Sequence, residues 1–213
     1  MSFATGVVAP ELSAEFPGLR LSWTELVARV RGSSPELRRR LRKLSDRYLG
    51  AGVVAMRTQP IPHAYRAFFR QVGVDPDAAR IPSEEAAVRR LLKGGFQSRD
   101  SVRDALLIAL IETGVPVWAL DAGAVHVDSL GIRLASEGDR LGRSPDGMPV
   151  PAGRLVVADR DCVHAALFSE PAPEHAPGPR THRVVLFAVA VEGVPAIHVE
   201  EALWVSTDAI DAR

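Results

Sequence analysis

Three carboxylates, Asp104, Glu112 and Asp121, lie in a segment whose other residues are nearly all apolar. Asp104 and Glu112 are eight residues apart on a predicted helix, which is a little more than two turns. A pair of carboxylates that lines a polar pocket can perform acid–base chemistry once burial shifts a pKa. The alternative is structural, with Asp104 as an acid in the first helical turn and Glu112 as an exposed acid near the helix end. All three residues are therefore weak catalytic candidates.

The single cysteine, Cys162, precedes His164 by two residues, so both side chains point to the same face of a predicted strand. A thiol beside an imidazole can act as a nucleophile and its base. A buried structural cysteine is far commoner, and we expect that role here. The six histidines include no pair at the three- or four-residue spacing that binds a metal from one helix face, and His175 and His182 flank a proline-rich loop. We expect no metal and no cofactor.

Cationic side chains are concentrated in the first half of the chain. The 213 residues contain 26 Lys and Arg against 26 Asp and Glu, but residues 1–105 contain 18 against 11 and residues 106–213 contain 8 against 15. A cationic face of the helix predicted after Ser34 is either simply solvated or a contact surface for phosphates. The candidate RNA-binding residues on this face are Arg38, Arg39, Arg42 and Lys43.

Hydrophobic periodicity and the positions of Pro and Gly predict the elements that carry these residues. Predicted helices cover residues 36–49, 61–72, 82–93, 98–113 and about 200–209. Predicted strands cover residues 19–30, 52–56, 117–120, 132–135, 155–158, 163–168 and 184–191. Residues 1–18 form an irregular lead-in, and the proline-rich residues 170–179 form a mobile hairpin tip. This order predicts a single α+β domain over residues 1–213, in which an N-terminal helical block packs on a mainly antiparallel β-sheet or barrel.

The composition excludes several classes of protein. With 46% hydrophobic and 24% charged residues, the chain is neither collagen-like, disordered nor a coiled coil. No apolar run reaches the roughly 20 residues that span a bilayer, and the N-terminus does not resemble a signal peptide. One cysteine allows no internal disulfide. We expect a cytoplasmic protein that does not enter a membrane.

Residues 90–104, RLLKGGFQSRDSVRD, resemble the B3/B4 domain of the phenylalanyl-tRNA synthetase β subunit. In that family a helix ending in Arg-Leu and a Gly turn leads to Arg-Pro-Ile-Asn-Asn-Val-Val-Asp. Residues 137–141 and 155–159 match two later motifs of the family, and the resemblance spans about residues 50 to 190. The ungapped continuation of the first motif retains Val102, Asp104, Glu112, Gly114, Pro116, Ala119 and Asp121.

The resemblance implies an α+β domain that, within the synthetase, hydrolyses tyrosine wrongly attached to tRNA. The residues that carry this editing are not retained, because Leu106-Leu107 replace a Thr-Asn pair and Trp118 replaces a His. The family's Gly-Val-Met-Gly-Gly turn falls on residues 167–170. Leu106, Leu107 and Trp118 therefore predict a more apolar ligand pocket. We do not expect a complete aminoacyl-tRNA ligase, since a chain filled by this domain has no room for an adenylate-forming core.

Two functions remain open at this point. The first is a free-standing B3/B4-like protein that binds tRNA and, if it is an enzyme, hydrolyses misacylated tRNA in trans. The second is a non-catalytic domain that binds or senses a small amino-acid-like ligand beside Trp118. A scaffold role for residues 170–179 is a third possibility, and the sequence predicts no oligomeric state.

Overall fold

The computed structural model describes residues 3–48 and 56–211, which form six α-helices and two β-sheets. The helices are α1 (Pro10–Glu15), α2 (Pro35–Arg47), α3 (Pro60–Gln71), α4 (Pro82–Lys93), α5 (Ser101–Thr113) and α6 (Ala196–Asp211). The strands are β1 (Ala4–Thr5), β2 (Val7–Val8), β3 (Arg20–Val27), β4 (Val117–Asp121), β5 (Gly131–Leu134), β6 (Leu155–Ala158), β7 (Val163–Ala166) and β8 (Arg183–Ala190). None of the described helices is long and apolar enough to cross a membrane.

The first sheet has the strand order β1–β3–β8–β4, and all its neighbouring strands are antiparallel. In β8 every residue from 184 to 190 is buried. A strand covered on both faces needs a continuous apolar sequence, which explains the run Val-Val-Leu-Phe-Ala-Val-Ala. Helix α6 packs on β8 and against α5, and α5 also packs against α2. The main core therefore lies between this sheet and the helices.

The second sheet has the order β2–β5–β6–β7, in which β2 runs parallel to β5 and the other pairs are antiparallel. The backbones of β2 and β5 come close together at Gly131, where an added Cβ would lie 2.0 Å from the carbonyl oxygen of Val7. Only glycine fits at that point. Within the described residues neither sheet closes on itself. The α+β prediction is confirmed, and its barrel alternative is wrong.

Side-chain caps set the boundaries of the two helices that carry the predicted site residues. The Oγ of Ser34 accepts a hydrogen bond from the N–H of Leu37 at 3.2 Å, and Pro35 begins α2. Asp100 caps α5 by accepting from the N–H of Arg103 at 2.9 Å, so α5 begins at residue 101 rather than 98. Gly114, with φ 76°, ends α5 in the left-handed conformation that glycine adopts without strain.

Several other segments differ from the sequence-based prediction. Residues 4–15 form β1, β2 and α1 instead of an irregular lead-in, because the first two strands find distant partners in β3 and β5. Helix α6 is longer than predicted, and β3 ends at Val27. The expected mobile tip at residues 170–179 is instead anchored, since Ala172 and His175 are buried and the N–H of Asp121 donates to the carbonyl of His175 at 2.8 Å. Residues 52–55 of the strand predicted at 52–56 lie outside the described residues, and Met56 is helical rather than extended.

Candidate functional site

Asp104 holds two loops together. Its side chain is 1% exposed and accepts hydrogen bonds from the Ser33 hydroxyl at 2.6 Å, from the Ser98 hydroxyl and from the N–H of Arg99 at 2.8 Å. These donors lie just before α2 and just before α5. Because both carboxylate oxygens accept from the fold, the geometry gives Asp104 a positioning role.

The other two predicted carboxylates have partners of their own. Glu112 accepts two hydrogen bonds from the Arg40 guanidinium, at 2.9 and 2.6 Å, which fix α5 to α2. Asp121 accepts from the Thr181 hydroxyl and from the N–H of Gly123. Along α5, Asp104 and Glu112 are separated by about 12 Å. The structure therefore does not bring the three carboxylates together.

The residues of the predicted ligand pocket belong to the main core. Trp118 is 7% exposed and stacks on Phe187, with ring centroids 5.6 Å apart and an interplanar angle of 21°. Leu106 and Leu107 are partly buried and pack against the same core. Trp118 lies among packed aromatic rings, and a ligand pocket at these residues stays a prediction.

Phe168 lies at the centre of this aromatic packing in an unusual backbone conformation. Its φ is 61°, a value that L-residues other than glycine rarely adopt, at a cost of about 1–2 kcal/mol. Its ring contacts four others at centroid distances of 5.4–5.9 Å: Tyr65, Phe68, Phe69 and Trp118. This turn therefore has a glycine-type backbone at a residue that is not glycine, and the Phe168 ring occupies the space beside Trp118.

The candidate RNA-binding residues form one solvent-facing side of α2. All four are exposed, and none of their side chains forms an ion pair or a hydrogen bond with another residue in 3–48 or 56–211: Arg38, Arg39, Arg42 and Lys43. Arg40, on the same helix, is instead neutralised by Glu112 and Asp208. The charges four residues apart on the exposed side repel one another by a few tenths of a kcal/mol per pair. This face is a concentrated positive surface, although the exposed Asp46 lies on the same side, one turn after Arg42 and Lys43.

A second polar cluster lies where β6 turns into β7. Cys162, His164 and His175 each place one potential ligand atom within 4.8 Å of the others. The Nδ1 atoms of the two imidazoles are 2.8 Å apart and share a hydrogen bond. His164 is 0% and His175 2% exposed. These three residues are called the Cys-His-His cluster below.

Asp159 supports the cluster from the end of β6. It accepts backbone N–H bonds from His126 at 2.8 Å, Asp161 at 2.8 Å and Cys162 at 3.0 Å. Burial acts to raise the pKa of Asp159, but these donors outweigh it and lower that pKa to about 2. Its Oδ2 lies 3.1 Å from Nε2 of His164. The carboxylate is charged at neutral pH and lies directly beside that imidazole.

Burial keeps both imidazoles of the cluster neutral. It lowers the pKa of His164 to about 4, although the Asp159 carboxylate opposes the shift. It also lowers the pKa of His175, against the opposing charge of Glu174. Burial raises the pKa of the Cys162 thiol, and the nearby Arg143 guanidinium counteracts part of that effect. The cluster therefore presents neutral nitrogen lone pairs beside a thiol.

A cavity of about 460 Å³ opens next to the cluster. Cys162 is part of its wall, and Arg143 and Asp161 contribute opposite charges. The volume is within the range of small-ligand sites. The cavity gives the thiol access to small solutes, while the imidazoles lie behind it.

Only part of the Cys-His-His cluster can be predicted from the sequence. The two-residue spacing of Cys162 and His164 correctly predicts that their side chains lie close together, although Cys162 precedes β7. His175 lies across the proline-rich loop, and its contact with His164 depends on how that loop folds back. The N–H of Ala172 donates to the carbonyl of His164 at 2.8 Å and holds the loop there. Such a long-range contact has no local sequence pattern.

No family model matches the chain. The chain is similar to the phenylalanine–tRNA ligase beta subunit of Gloeobacter violaceus, with 33% identity over 120 residues. The match covers 54% of this chain and 15% of the relative, so the chain corresponds to a small part of that protein's length. The match supports a relationship to phenylalanine–tRNA ligase beta subunits, without singling out a free-standing B3/B4 domain.

Proposed function

We propose that the protein has a tRNA-synthetase-related function and binds tRNA through the outward face of α2. The observation that carries the proposal is the exposed, unpaired state, among the described residues, of Arg38, Arg39, Arg42 and Lys43. Because the chain is similar to a phenylalanine–tRNA ligase subunit, tRNA is the nucleic acid that we expect it to bind. The proposal concerns binding first, and any reaction on the bound tRNA is a separate step.

The physical basis is the electrostatics of one helix face. Bringing four cations together on α2 disfavours the helix slightly, and a phosphate backbone relieves that repulsion. Guanidinium groups suit this task because they form paired hydrogen bonds with phosphate oxygens. Glu112, which neutralises Arg40, lies on the side of α2 that packs on α5, and no ion pair among the described residues engages the four outward cations.

The test is a salt series of tRNA binding, measured by fluorescence anisotropy with labelled tRNA. Four phosphate contacts predict a slope of about −3 in a plot of log K against log salt concentration. Replacing all four cations by Gln should reduce the affinity at low salt by at least about tenfold and bring the slope close to zero. Unchanged affinity and slope in that variant would exclude this surface.

A matched control removes the same charge from elsewhere on the surface. Four exposed arginines outside α2 serve for it, each replaced by Gln: Arg20, Arg70, Arg154 and Arg180. We expect this variant to keep most of the salt slope. If both variants lose binding equally, net charge rather than the α2 face determines the affinity.

The second candidate function is hydrolysis of misacylated tRNA in trans. The observation in its favour is the 460 Å³ cavity that adjoins Cys162, with two neutral imidazoles behind it. A deacylation assay over a set of mischarged tRNAs tests it, with Glu112→Ala as a control variant distant from the cavity. Release of amino acid that depends on protein and survives Glu112→Ala supports the candidate. Decay rates equal to those without protein for every tRNA exclude it.

A further inference from the structure

The strongest unexplained feature is a pair of buried nitrogen atoms without hydrogen-bond partners. The Nε2 atoms of His164 and His175 have no such partner among the described residues. Nε2 of His164 lies 3.1 Å from Oδ2 of Asp159, but outside hydrogen-bond geometry. Nε2 of His175 lies 3.7 Å from Oε1 of Glu174. Buried polar atoms of this kind are rare in folded proteins. The ring orientation that leaves both Nε2 atoms unpaired turns the two Nδ1 atoms towards each other, 2.8 Å apart.

We infer that the Cys-His-His cluster is a binding site for a divalent transition-metal ion of the Zn²⁺ type. Its ligands are Sγ of Cys162 and one nitrogen each of His164 and His175, which already lie within 4.8 Å of one another. Thiolate and imidazole form the ligand set that Zn²⁺ and Co²⁺ prefer, whereas Mg²⁺ and Ca²⁺ prefer oxygen. Nothing in this inference depends on tRNA binding.

The tautomers specify which nitrogen atoms are available. The Asp159 carboxylate favours a proton on Nε2 of His164, which leaves Nδ1 of that ring as the acceptor in the 2.8 Å contact with His175. His164 then binds the ion through Nδ1, with Asp159 as the carboxylate that orients it. This carboxylate–histidine–metal arrangement is common in zinc sites.

Binding of the ion requires a small movement of the two imidazoles and the release of one proton. With metal–nitrogen bonds of about 2.05 Å, two nitrogen ligands of a tetrahedral ion lie roughly 3.3 Å apart, so the imidazoles separate by about 0.5 Å. The proton on Nδ1 of His175 moves to Nε2, beside Glu174, and the Cys162 thiol loses its proton to solvent. One proton is therefore released for each ion bound. The fourth coordination position is left for water from the adjoining cavity.

The test uses the full-length protein after dialysis against a chelator, titrated with Co²⁺ and then with Zn²⁺. We expect Co²⁺ to bind with a thiolate-to-cobalt absorption band in the near ultraviolet, and Zn²⁺ to displace it. At a concentration 100-fold above its Kd, Zn²⁺ should raise the Tm by about 5 °C or more. A protein that shows neither the absorption band nor a Tm shift would overturn the inference.

Three variants separate coordination from a general effect on folding. Cys162→Ser should abolish the charge-transfer band, and His175→Gln should remove the Zn²⁺-dependent Tm shift while retaining a cooperative transition in chelator. Asp159→Asn should weaken metal binding by about 10–100-fold, because the Asp159 carboxylate orients a ligand and does not itself bind the ion. His182, exposed and outside the cluster, provides the control His182→Gln, which should leave the band unchanged. A band that persists in Cys162→Ser, or is lost in His182→Gln, would overturn the assignment.

Discussion

The backbone at Phe168 gives a sharp test of the fold, because it reverses the usual order of two substitutions. Removing the ring should cost about 3 kcal/mol of unfolding free energy, the lower end of the range for Phe→Ala, since Phe168 is only partly buried. At φ 61° alanine retains the left-handed strain and glycine does not. Phe168→Gly should therefore be more stable than Phe168→Ala by about 1 kcal/mol.

Urea-induced unfolding, followed by far-ultraviolet circular dichroism, measures both variants against the wild type. A helical position supplies the matched control, because Phe68 lies inside α3 and contacts the same ring of Phe168 at 5.9 Å. There the order should be the ordinary one, with Phe68→Gly less stable than Phe68→Ala by about 1 kcal/mol. If Phe168→Ala proves as stable as Phe168→Gly, the left-handed conformation and the strain assigned to it are both wrong.

Two further predictions concern carboxylates that are held by the fold. Asp104→Asn should destabilise the protein by about 1–3 kcal/mol, because the new amide NH₂ must face one of the groups that donate to Asp104. Urea unfolding measures this loss, and an unchanged midpoint would contradict the positioning role. The hydrogen bond from Arg133, opposed by desolvation, holds the pKa of Asp139 below its usual value. This stabilisation is complete above the unfolded-state pKa of about 4 and is lost as the pH falls towards the folded-state value, so Asp139→Asn should flatten the acid limb of a stability–pH curve.

The sequence predicts well those features that depend on neighbouring residues. Ser34-Pro35 marks the start of α2, Gly114 marks the end of α5, and the apolar run in β8 shows a strand buried on both faces. Each signal arises within a few residues, through a cap, a left-handed glycine or a hydrophobic run. The α+β order of elements follows from the same local signals.

The partners of buried groups are not predictable in this way. Asp104 is conspicuous in the sequence, but its donors Ser33 and Arg99 come from loops whose approach depends on the packing of α2 against α5. His175 meets His164 only because the loop between them folds inward. For the same reason the sequence points to three carboxylates as a site, whereas the structure assembles a thiol and two imidazoles. Which side chains are buried, and which of them meet, depends on tertiary structure and cannot be deduced from residue type alone.

The position of β8 in the first sheet determines the order in which the chain can fold during synthesis. Strand β8 lies between β3 and β4, pairing Arg20 with Ala190 and Val117 with Ala188. Until residue 190 has left the ribosome, β3 and β4 each present an unpaired edge towards the missing strand. Contacts so distant in sequence form slowly, and open edges can pair with other chains. Completion of the main sheet therefore waits for the synthesis of residue 190, and the nascent chain presents these open edges until then.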